Sequence, residues 1–147
     1  MPESNQKVND VIADLTSGCP KKMAEAAANA QYVLHGPVTE APGRRLVENL
    51  VRLIELDEKG EPRVPCEHAR ERAVYAIIIA HEGGHDMSPH LHHIKRAAND
   101  DPHPWVRTAA NDAIAFHMSH NQFNQPHNLP GPVRSISSDP RRRTVRG

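Results

Sequence analysis

Aromatic residues make up only 3 % of this 147-residue chain, one Trp, two Tyr and two Phe. A core of that composition is built from Ala, Leu, Ile and Val, which favours closely approaching helices over a thick sheet sandwich. Cysteine is also scarce. Cys19 and Cys66 are too few for a disulfide framework and too far apart for a metal knuckle. Each stands beside a proline, Pro20 or Pro65, where a small residue at a helix start is expected. No apolar run approaches the roughly 18 residues of a membrane span, so no membrane partner is expected. Met1 to Asn9 carry no apolar run of signal-peptide type, and the expected address is cytoplasmic.

Net charge is missing too, with 18 basic and 18 acidic side chains. The zero hides an asymmetry. From Gly131 onward there are five arginines and one acid, whereas residues 1–130 carry 13 basic against 17 acidic side chains. The body is mildly acidic and the end of the chain is basic.

What the chain does have is helical periodicity, up to about residue 119. Val8, Val11, Ile12 and Leu15 form a first stripe that stops at Ser17-Gly18. A second starts at Pro20, a favoured first-turn residue, and runs through Met23, Ala27, Ala30, Val33 and Leu34. After a loop expected to hold Pro37, Pro42 and Gly43, a third carries Leu46, Val47, Leu50, Leu53 and Ile54. A fourth opens at Pro65, carries Ala69, Ala73, Ala76, Ile77 and Ala80, and ends at Gly83-Gly84. A short fifth holds Leu91, Ile94 and Ala98 behind Ser88-Pro89. The sixth holds Val106, Ala109, Ala110, Ala113 and Ile114. No segment alternates with the period of a strand.

The even-numbered segments superpose without gaps. Met23, Ala27, Ala30 and Leu34 fall on Ala69, Ala73, Ala76 and Ala80, and these on Val106, Ala110, Ala113 and His117, at offsets of 46 and 37 residues. Such offsets bracket the period of two-helix repeats. The run Asp100-Asp101-Pro102-His103-Pro104-Trp105-Val106-Arg107, followed by Ala109, Ala110, Ala113 and Ile114, resembles the second half of a HEAT repeat. Ala69-Arg70 with Ala73, Ala76 and Ile77 is a weaker copy. The resemblance implies an all-α fold: a short right-handed α-solenoid of about three antiparallel helix pairs over residues 1–119. It also implies structural, bridging roles for Arg107 and for the turn at Asp100 and Asp101. Residues 120–147, with Pro126, Pro130, Pro132 and Pro140, have the composition of a flexible Pro/Arg-rich tail.

Two features could carry chemistry. His81-Glu82-Gly83-Gly84-His85 matches the zinc-protease string, whose chemistry needs a helix continuing through both histidines. Two consecutive glycines, each costing about 1 kcal/mol in a helix interior, argue that the helix stops there instead. Histidine density is the second feature. Eight of the 11 histidines lie between His81 and His120. His81 and His85 at one helix end could meet His117 and His120 at another, a set that suits zinc or nickel.

The expected function is therefore a non-enzymatic protein-binding module, an adaptor or regulator working through a helical-repeat surface. Arg70, Arg72, Arg107, Arg141, Arg142 and Arg143 are the expected partner-binding residues, and no cofactor is required. One alternative is a metal-binding protein or zinc-dependent hydrolase using the His81–His85 segment. Another is nucleic-acid binding through the tail arginines.

Overall fold

A computed structural model of the chain describes the backbone of residues 2–124 and the side chains of residues 5–120. Among the described residues there are six α-helices and no strand: α1 (Pro2–Leu15), α2 (Pro20–His35), α3 (Glu40–Ile54), α4 (Glu67–Glu82), α5 (Leu91–Asp100) and α6 (Pro104–Asn124). A single 3₁₀ turn, Ser88–His90, leads into α5. None of these helices is long and apolar enough to cross a membrane. The chain divides into two units, one over residues 1–117 and one that begins at Met118.

Helix starts follow the prolines. Pro20 occupies the first turn of α2 behind Cys19, where a missing N–H costs nothing because the first turn has no intrahelical acceptor for it. Helix α3 begins earlier than the sequence suggests. Pro42 and Gly43, expected in a loop, lie inside it. Pro42 is still within the first turn, and the Gly43 N–H closes a helical bond to the Thr39 carbonyl at 3.0 Å.

The stripes read from the sequence face inward. Val8, Leu15, Leu46, Leu50, Ile54, Ile77 and Ile94 are fully buried, with the alanines of α2, α4 and α6 between them. Helix α2 packs most extensively on α4, α1 on α2 and α3, and α3 on α4 and α5. Cross-links between α4 and α6 keep a constant register. The rings of His68 and Trp105 lie 5.9 Å apart, the Tyr75 hydroxyl donates to Asp112 at 3.5 Å, and the rings of His81 and His117 are 5.3 Å apart. These pairs are 36 or 37 residues apart in sequence, so the two helices run parallel at the sequence offset. Between α2 and α4, Gln31 donates to the Arg72 carbonyl and Arg72 to the Ala24 carbonyl, each at 3.2 Å.

The α3–α4 connection is a tight turn held by one carboxylate. Asp57 accepts from the N–H groups of Lys59 and Glu61 at 2.8 and 2.9 Å, with Gly60 in the left-handed region at φ +83°. Arg96 of α5 donates to the carbonyls of Leu56 and Asp57, tying that turn to the next pair of helices.

Candidate functional site

The end of α4 decides the geometry of the histidine region. The N–H of His85 reaches the Ala80 carbonyl at 2.8 Å and that of Gly84 the His81 carbonyl at 3.1 Å, while Gly84 takes φ +98°. This pair of bonds is a Schellman motif, which closes the helix at Glu82. His81 and His85 therefore do not share a helix face, and the zinc-protease string lacks the continuous helix its chemistry needs. The ring of His85 turns instead onto α3: a Cβ placed on Gly43 would lie 2.2 Å from it. Gly43 is the vacancy into which that ring fits.

What the terminated helix does bring together is a different set. After the glycines the chain folds back, so that the Met87 N–H donates to His81 Nδ1 at 3.1 Å. Asp86 places Oδ1 3.5 Å from the same nitrogen. From α6, His117 lays its ring 5.3 Å from that of His81, and its Nε2 is 2.8 Å from Ser88 Oγ. Phe116 stands edge-on to the His81 ring at 6.1 Å. His81, Asp86 and His117 each offer one ligand atom, all within 4.8 Å of one another. His81 is buried, with 5 % exposure, while Asp86 faces solvent. Partial burial pushes the Asp86 carboxyl up, but hydrogen bonds from Ser88 and the nearby imidazoles of His81 and His117 outweigh it and hold the pKa below the usual range.

Of the four histidines expected to gather, the structure joins His81 and His117. His85 lies on Gly43, and His120 belongs to the second unit. Asp86 was not among the expected ligands. Its contribution depends on the reversal of the chain after Gly84, which spacing along a helix does not describe.

The arginines divide by burial. Arg70 is only 2 % exposed, and its guanidinium is fully engaged inside the fold. Nε and Nη2 meet the two Asp101 oxygens at 2.9 Å, while Nη1 donates to the carbonyls of Val64 and Pro65. It braces the interior, joining α4 to Asp101 and to the Val64–Pro65 segment. Arg72 is tied to the Ala24 carbonyl and Arg107 to the Asp101 carbonyl at 2.7 Å, so both are half-buried braces as well. Arg141, Arg142 and Arg143 lie outside the described residues.

A second feature was not picked out from the sequence. Tyr32 stands outside the α2 stripe and is 81 % exposed. It borders an open cleft of about 330 Å³ lined by Lys7, Asn29, Val33, Gly36, Pro37 and Val38. The available signal was an aromatic residue on the polar side of a helix in a chain nearly devoid of aromatics. Comparison with family models, with curated proteins and with solved structures finds no match for this chain.

Proposed function

We propose that this chain is a protein-binding module of helical-repeat build that takes a short partner segment at the Tyr32 cleft. The parallel register of α4 and α6, with α2 packed on α4, α1 on α2 and α3, and α3 on α4 and α5, supports a solenoid of the HEAT kind as the scaffold. The observation that carries the binding reading is the exposed Tyr32 ring at the rim of the cleft. Tyrosine is enriched among residues that dominate binding energy, because a rigid ring buries much area with little loss of rotamer freedom. Val33, Pro37 and Val38 give the floor an apolar character, and Lys7 adds a cation. A matching segment carries an apolar side chain next to an acidic one.

The test is capture from the native cell by the full chain, with Tyr32→Ala, Lys7→Glu and, on another helix, Glu48→Ala. The reading expects one partner retained by the wild type and by Glu48→Ala, and lost with the two cleft variants. Capture indifferent to Tyr32 but abolished by removing residues 131–147 would assign binding to the arginine tail instead.

A further inference from the structure

We infer that His81, Asp86 and His117 form a binding site for a divalent first-row transition cation, with zinc the best fit. This site is separate from the Tyr32 cleft and does not depend on the zinc-protease string.

Spacing and donor chemistry both suit such a cation. Zinc sits roughly 2.0–2.2 Å from nitrogen and oxygen ligands, so neighbouring donors of a tetrahedral site are about 3.4 Å apart. His81 Nδ1 and Asp86 Oδ1 already stand at 3.5 Å. The donor atoms of all three residues lie within 4.8 Å of one another, which leaves His117 up to about 1.4 Å to close, on the scale of a side-chain rotation. The donors come from three places: the last turn of α4, the reversed loop after Gly84, and α6. Two imidazoles and one carboxylate, without a thiolate, suit zinc, nickel, copper or ferrous iron better than calcium or magnesium.

The protonation state is also suitable. Because the Met87 N–H donates to His81 Nδ1, that nitrogen carries a lone pair and no proton, as a cation ligand must. A bound ion takes the lone pair over from the amide, which makes the site moderate in affinity rather than a closed structural centre. Ser88 Oγ holds His117 Nε2 at 2.8 Å and fixes the orientation of that ring. Asp86 faces solvent and leaves a fourth position open to water.

The experiment is a titration of chelator-stripped full-length chain with zinc against a chromophoric competitor. It uses the wild type, His117→Ala, Asp86→Asn and His92→Ala, with circular dichroism recorded for each. His92 is exposed and lies in another cluster, its ring 4.0 Å from that of His93. We expect one zinc equivalent in the wild type and in His92→Ala. Its affinity should fall at least about tenfold in His117→Ala and Asp86→Asn with helicity unchanged. Zinc should raise the melting temperature of the wild type but not of Asp86→Asn. Asp86→Asn changes only an exposed carboxylate and keeps the test decisive if His117→Ala fails to fold. Absence of zinc binding, equal affinity in all four proteins, or a loss seen in His92→Ala alone would overturn the proposal, the last two cases leaving at most adventitious binding to surface histidines.

Discussion

Arg70 and Asp101 meet inside the fold as a two-pronged ion pair, each carboxylate oxygen 2.9 Å from one guanidinium nitrogen. The pair joins α4 to the turn before α6. Asp101 Oδ1 also accepts the His103 N–H at 2.9 Å, and the remaining Arg70 donor serves two carbonyls. Every polar atom of the pair is thus occupied, the condition under which a buried charge is tolerated. Replacing one partner leaves the other charged and unmatched, so Arg70→Leu or Asp101→Asn is expected to cost about 3–5 kcal/mol. The double variant should cost less than the sum of the two singles, which urea unfolding of all four proteins measures.

Gly43 and His85 should be coupled in the same sense. Alanine at a helical glycine ordinarily gains about 1 kcal/mol. In the wild type, Gly43→Ala must push the His85 ring from its place, and the gain is reduced or reversed. In a His85→Ala background the full gain should return. Melting temperatures of the four proteins test this, and an identical effect of Gly43→Ala in both backgrounds would refute the contact.

How much of this was legible in the sequence differs by region. The helical stripes and the α4–α6 register were, because both follow from apolar spacing and from small residues that recur where helices touch. The start of α3 was not: proline and glycine read as loop punctuation, although the first turn tolerates one and the His85 ring requires the other. Arg70 reads as a charged helix residue available to a partner until Asp101 is brought beneath it. Asp86 enters the histidine site only because the chain reverses after Gly84. Local periodicity carries no information about such a reversal.

His93 provides a pH dependence with a defined sign. Burial lowers its pKa from the usual 6.5, the His92 ring lowers it further, and the Glu55 carboxylate 3.7 Å away only partly opposes them. The unfolded chain therefore takes up this proton more readily than the native one. The contribution is fully present above about pH 6.5 and is lost as pH falls through the lower native value. Relative to wild type, His93→Gln should lose less stability between about pH 7.5 and 5, as urea midpoints at each pH will show.

Ile77 is fully buried in α4, the helix that contacts both α2 and α6. Ile77→Ala is expected to cost about 2–5 kcal/mol through lost burial and the cavity left behind. The exposed Glu48→Ala on α3 should change stability by less than about 0.5 kcal/mol. Similar values for the two would contradict the placement of α4 in the core.

The central claim, that a partner segment is held at the Tyr32 cleft, is tested most directly by site-specific photocrosslinking in the native cell. A benzophenone side chain placed at position 32 should yield one discrete crosslinked protein, and the same group at position 48 should yield none. The added Lys7→Glu substitution should abolish the product at position 32. A product pattern that is the same at both positions, or unaffected by Lys7→Glu, would contradict the account.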